Sequence, residues 1–88
     1  MGKNVDDLVR AAQKQYPSKA GKLEYHHITP KYLGGHPKGP TVPIDAAYHQ
    51  QITNAFRDAW GYGKGKPSAG ELEAIKQHVY KRFPLPSG

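Results

Sequence analysis

Two adjacent histidines, His26 and His27, stand in the segment Leu23-Glu24-Tyr25-His26-His27-Ile28, and a third, His49, follows in Tyr48-His49-Gln50. An imidazole serves either as a nitrogen ligand for a cation or as a general base, because its unperturbed pKa lies near neutrality. If residues 23–28 are extended, neighbouring side chains point to opposite faces. One ring of the pair can then turn inward to a metal while the other stays free to take a proton from water. His49 meets His26 if its helix packs on that strand. The chain has no cysteine, which excludes disulfides, thiolate catalysis and sulfur-ligated zinc. Any metal must be held by His, Asp, Glu, Asn or water.

Apolar spacing and chain breakers outline the elements that must position these residues. Asn4 can cap a first helix in which Val5, Leu8, Val9 and Ala12 recur at helical spacing, and Pro17 closes it. Residues 17–22 form a turn-rich connection. Leu23 to Ile28, bounded by Gly21 and Pro30, suits a strand. The stretch from Thr29 to Pro43 holds too many Pro and Gly residues for a helix and reads as a loop with a second short strand around Thr41-Val42. Asp45 is a good N-cap, and Tyr48, Ile52, Ala55, Phe56 and Ala59 trace one buried helical face after it. Residues 60–67 read as a flexible, basic connection. Ser68 and Glu71 have capping-box spacing before a last helix with the stripe Leu72, Ile75, Val79 and Phe83, which Pro84 ends.

A chain of 88 residues accommodates one domain, 1–88, with a thin core to which a metal or a partner would add stability. Lys+Arg at 13 against Asp+Glu at 7 gives a net charge of +6, which points to a polyanionic partner. No apolar run approaches the roughly 20 residues needed to span a bilayer, and the N-terminus lacks the apolar centre of a secretory signal, so no membrane partner is expected. Hydrolysis of a phosphodiester requires a nucleophile, neutralisation of the charge that develops on phosphorus, and help for the leaving oxygen. One divalent ion with one histidine base can supply these.

The string Tyr25-His26-His27-Ile28-Thr29-Pro30-Lys31-Tyr32-Leu33-Gly34-Gly35, followed by Val42-Pro43-Ile44 and a helix histidine, resembles the HNH/endonuclease VII superfamily. It is similar in particular to histidine-rich C-terminal toxin domains of bacterial polymorphic toxins. The resemblance covers residues 23–57. It implies an α+β fold with a small ββα-metal core, about residues 23–60, flanked by N- and C-terminal helices. It further implies that His26 and His49 bind one divalent ion and that His27 activates water. Mg²⁺ is the expected ion, with Ni²⁺, Mn²⁺ or Zn²⁺ as alternatives. The implied protein is an endonuclease, acting on DNA rather than RNA. It would be secreted as part of a larger toxin, act in the target-cell cytoplasm, and be neutralised by an acidic immunity protein.

Two features depart from that family. The Asn that orients the base histidine in many members is missing, with only Thr41 or Asp45 able to stand in. The second helix histidine is replaced by Thr53, so the shell must be completed by water or by a residue such as Glu24, Asn54 or His78. A hard, weakly held ion tolerates so few protein ligands better than Zn²⁺ does. Glu24 is either a carboxylate holding an imidazole or an exposed strand charge. Lys31, Lys64 and Lys66 are candidate phosphate contacts. His36 reads as a solvated loop residue, His78 as helix packing, and Tyr48 and Trp60 as core residues before stacking ones. Two other functions stay open at this level: a nucleic-acid-binding module without catalysis, and a metal-independent ribonuclease in which two histidines act as base and acid.

Overall fold

The structure, a computed structural model, describes residues 4–86. Helix α1 (Val5–Gln15) begins where Asn4 accepts a hydrogen bond from the Asp6 amide at 2.9 Å, which satisfies one of the free donors of the first turn. Its Val5, Leu8, Val9 and Ala12 turn toward the core. Tyr16 leaves helical geometry ahead of Pro17, and a single 3-10 turn (Pro17–Lys19) occupies part of the expected connection. Gly21, at φ 81°, redirects the chain into strand β1 (Leu23–His27).

Strand β2 (Thr41–Asp45) pairs antiparallel with β1, in the register Leu23↔Asp45, His26↔Val42, His27↔Thr41. It runs further than Thr41-Val42 because the sheet has only two strands, and on such an edge the missing amide of Pro43 breaks no internal ladder. The pleat puts His26 and Ile44 among the buried residues, whereas Leu23 and Tyr25 on the opposite face are exposed. Between the strands, residues 28–40 form a loop with a 3-10 turn (Lys31–Leu33) whose Leu33 is buried in the core.

Helix α2 (Ala46–Ala59) starts directly after β2, with Asp45 as N-cap accepting from the Ala47 amide. It lies at the centre of the molecule, touching both strands, α1 and α3 (Ala69–Arg82). Its buried Tyr48, Ile52, Ala55 and Phe56 meet Ala12, Leu33, Ile44, Ile75 and Val79 in one cluster. The Tyr48 hydroxyl donates to the Pro84 carbonyl at 2.7 Å, which ties the end of α3 to this helix. Helix α3 opens on a full capping box, Ser68 and Glu71 each accepting the other's amide.

The mixed α+β class and the order helix, strand, strand, helix, helix agree with expectation. The connection 60–67 is more tightly held than an open linker. Tyr32 donates to the Trp60 carbonyl, Trp60 Nε1 donates to the Gly65 carbonyl, and Tyr62 packs on Tyr32. Among the described residues no helix is long and apolar enough to cross a membrane.

The loop 28–40 is closed by a backbone approach at Gly35, whose amide donates to the Pro30 carbonyl. A Cβ at Gly35 would lie 2.0 Å from the Thr29 oxygen and 2.8 Å from its carbonyl carbon, so Gly35→Ala must displace main chain. Overpacking of this kind costs about 1–3 kcal/mol, or a melting point lower by roughly 4–8 °C per kcal/mol in a domain of this size. Gly63→Ala, where a Cβ meets nothing within 4 Å, is the control and should melt near the parent temperature. Equal melting points for the two variants would contradict this account of the loop.

Candidate functional site

The three histidines singled out from the sequence line one pocket of about 220 Å³, together with Lys31, Thr53 and Phe56. His26 comes from the inward face of β1, His27 from its end, and His49 from the first turns of α2. The rings of His26 and His49 meet edge to face with centroids 5.1 Å apart. Thr53 stands one turn beyond His49 and faces the same pocket, as residues four apart on a helix do.

Each imidazole is held by a partner whose hydrogen-bonding role is fixed. Tyr80 on α3 donates its single hydroxyl proton to the Ile28 carbonyl, so toward His26 Nε2, 2.8 Å away, it can only accept. His26 is therefore protonated on Nε2 and carries its lone pair on Nδ1. His49 Nδ1 lies 2.8 Å from Glu24 Oε1, and a carboxylate only accepts, which leaves the lone pair of the neutral ring on Nε2. His27 Nε2 donates to the Pro37 carbonyl at 2.9 Å, leaving Nδ1 as the basic nitrogen. Among the described residues no buried side-chain nitrogen or oxygen lacks a partner. Among the described residues His26 Nδ1 has no protein partner, so it is not wholly buried, and His26 lines the pocket.

Burial is the largest influence on His26, which is 4% exposed. It lowers the pKa from 6.5 to about 4, with the neighbouring His49 and His27 acting in the same direction. His26 is thus neutral at pH 7 with a lone pair available, the state a metal ligand requires. Burial also raises the hydroxyl pKa of Tyr80, which stays a neutral phenol.

Several expected supporting roles change. Glu24 is the imidazole-holding carboxylate and not a free strand charge. Asn54 does not complete a shell: its side chain accepts from Gln50 and donates to Tyr16, in a separate pocket formed with Gln15 and Arg82. Five residues along a helix from His49 is well round its circumference. His78 is exposed instead of packed, and its neighbour Tyr80 is the α3 residue that reaches the site. His36 is exposed and caps its own turn by accepting from the Lys38 amide. Neither Thr41 nor Asp45 orients His27. Thr41 is its cross-strand neighbour, Asp45 caps α2, and the Pro37 backbone carbonyl performs the task. Of the three lysines, Lys31 lines the pocket, Lys66 lines an adjoining one, and Lys64 lies over the Trp60 ring at 4.2 Å.

Sequence reading missed Tyr80 and Pro37. Tyr80 carried a usable signal, since it adjoins the buried Val79 and a half-buried tyrosine needs a partner for its hydroxyl. A backbone carbonyl carries no such signal.

The hydrogen bonds leave His26 Nδ1, His49 Nε2 and His27 Nδ1 as the uncommitted nitrogens of three side chains that line one pocket. The donor chemistry fits a divalent ion held by two nitrogens. Among the described residues no three His, Asp or Glu side chains converge as a ready cage, so most of such an ion's shell would be water or substrate oxygen. No protein family, curated protein or solved structure matches the chain.

The depressed His26 pKa sets a pH dependence for the metal-free protein. Between pH 6.5 and 4 the unfolded chain binds a proton that the folded one refuses, so stability is full above pH 6.5 and falls as the pH drops toward 4. The loss approaches about 3 kcal/mol. Urea unfolding in chelator from pH 7.5 to 4 should show this slope, and His26→Gln should flatten it. A slope unchanged in His26→Gln would assign the dependence to another group.

Proposed function

We propose that this chain is a metal-dependent endonuclease domain that hydrolyses phosphodiester bonds in nucleic acid, as the resemblance to HNH-type toxin domains implies. The observation that supports it best is the set of three imidazoles around one pocket, each held through one nitrogen by an acceptor and each offering the other.

His27 is the base in this reading. Its Nδ1 takes a proton from the attacking water, while the Pro37 carbonyl keeps the ring in one tautomer and steadies the imidazolium that forms. His26 and His49 would hold the ion, with Tyr80 and Glu24 orienting their rings. A divalent ion bound there, Mg²⁺ in this proposal, would neutralise charge on the phosphate and assist the leaving oxygen. Lys31 at the pocket wall balances further phosphate charge. The +6 net charge suits a nucleic-acid substrate and an acidic inhibitor that competes for the same surface. The domain would travel as part of a larger secreted toxin, act on DNA in the target cell, and be held inactive in the producer by its immunity protein.

Cleavage of plasmid DNA and of a single-stranded DNA, run beside an RNA control with and without EDTA, tests the reading. His27→Ala should lower the rate by ~10²–10⁴ while the protein still binds metal. Parental activity in His27→Ala removes the base assignment, and cleavage that survives EDTA favours a metal-independent mechanism.

Calorimetric titration tests the ligand set. His26→Ala and His49→Ala should each weaken Ni²⁺ and Zn²⁺ binding by a similar large factor, whereas His78→Ala should leave it unchanged. Thr53→His, at a position that already faces the pocket, should tighten binding most for nitrogen-preferring ions. Undiminished binding by His49→Ala would rule out the strand-helix site.

A further inference from the structure

Two large aromatic side chains remain on the surface beside the histidine pocket. Tyr25 is 67% exposed and Tyr62 is 56% exposed, and both line the pocket that holds His26, His27 and His49. Tyr25 shares its strand face with His27, two residues on. Tyr62 is braced from two sides. Its ring leans on Tyr32 with centroids 4.5 Å apart, and its hydroxyl accepts from Arg57 Nη2 at 2.9 Å, the guanidinium carbon lying 4.8 Å from the ring centre. The ring is thus held in place on a residue that stays exposed.

The Tyr32–Tyr62 pair is also the wall of a second pocket, of about 320 Å³, completed by Gly65 and Lys66. Lys31 lines the first pocket and Lys66 the second, so a cation stands on each side of an aromatic wall. Exposed tyrosines with a lysine at each of two pockets that share Tyr62 suit a chain of bases and phosphates. A duplex presents base edges in its grooves and keeps base faces stacked on one another. Away from duplex ends, only an unpaired base can stack against Tyr25 or Tyr62.

We propose that Tyr25 and Tyr62 form a stacking subsite for an unpaired nucleotide beside His27, so that the substrate is single-stranded nucleic acid, with Lys31 and Lys66 holding the flanking phosphates. This specifies the substrate class and rests on the nuclease reading above. Tyr62 and Tyr32 line both pockets, so a strand bound in the first would have the second beside it. The subsite therefore suits a polymer better than a mononucleotide.

The test is fluorescence anisotropy on the intact protein in EDTA, which reads binding independently of cleavage. The probes are a labelled single-stranded DNA of about 12 nucleotides, an RNA of the same sequence, and a hairpin duplex with as many phosphates. The single strand should bind about tenfold or more tightly than the duplex. Tyr25→Ala and Tyr62→Ala should each weaken single-strand binding by roughly tenfold and leave duplex binding within about twofold, while Tyr25→Phe and Tyr62→Phe keep the parental affinity. Tyr25→Ala removes a side chain that is mostly in water, so its fold is not at risk even if Tyr62→Ala loosens the 60–67 turn. The RNA arm shows which sugar the subsite accepts, and binding of either strand with the same tyrosine dependence supports it. Duplex binding as tight as single-strand binding, or unchanged single-strand affinity in both alanine variants, overturns the proposal. Tyrosine-independent binding with His27-dependent cutting of duplex would remove the subsite alone. Tyrosine-dependent binding with no cutting in Mg²⁺, Mn²⁺ or Ni²⁺ would remove the nuclease reading alone.

Discussion

The Asp45 carboxylate holds together the corner from which the site is built. One oxygen accepts from the Ala47 amide and so starts α2, and the other accepts from the Gly21 amide at 2.9 Å and from Gln13 of α1 at 3.0 Å. Burial alone would raise this carboxyl's pKa, but the hydrogen bonds from Gln13, Gly21, Ala47 and Tyr48 overcome that and hold it below its ordinary value. Asp45 is also the register partner of Leu23. The end of β2, the entry to β1, the start of α2 and the side of α1 thus meet at one group. Glu24 is the residue after Leu23 and His49 lies one turn after Asp45, so the same corner sets the separation of the Glu24–His49 pair.

Apart from that corner, separate hydrogen-bonded contacts hold the three imidazoles. The core is a small cluster around Tyr48, Ile52 and Phe56, and it fixes where α2 lies on the sheet. Packing is tolerant of small rotations of a ring, but hydrogen bonds to acceptors of fixed role are not. Tyr80, Glu24 and the Pro37 carbonyl therefore add what packing cannot: a defined tautomer for each imidazole. Only the Tyr80–His26 contact buries polar groups, and among the described residues each buried side-chain nitrogen and oxygen has a partner.

The C-terminal helix takes a larger part than its sequence suggested. Its capping box and the stripe Ile75, Val79 explain why it forms and where it packs, yet its link to chemistry is Tyr80, which bonds both His26 and the Ile28 carbonyl. The helix thereby clamps the end of β1 at the point where the histidine pair leaves the strand. The 60–67 turn, which precedes this helix, contributes Tyr62 to the pocket wall and is held by Tyr32 and Trp60. Elements outside residues 23–57 thus finish the pocket.

Short-range physics was legible in the sequence because it is written in short-range patterns. Asn4, Asp45 and the Ser68–Glu71 box marked three helix starts, Pro17 and Pro84 marked ends, and period-two alternation split His26 from His27 onto different faces. The meeting of His49 with His26 followed from one added condition, that α2 packs on β1. The partners of those rings did not follow. Tyr80 is 54 residues from His26, Glu24 is 25 from His49, and the group that orients His27 is a main-chain carbonyl ten residues on. Every residue has such a carbonyl, so composition cannot single one out, and only the closed path of the 28–40 loop decides which points at the ring. Asn54 shows the converse, since its type suited a ligand but its angular position on α2 turned it to Tyr16. Residue type and spacing determined which groups could do chemistry and on which elements they sit; the tertiary structure alone decided which nitrogen of each histidine is free, because that depends on what lies across space from the other one.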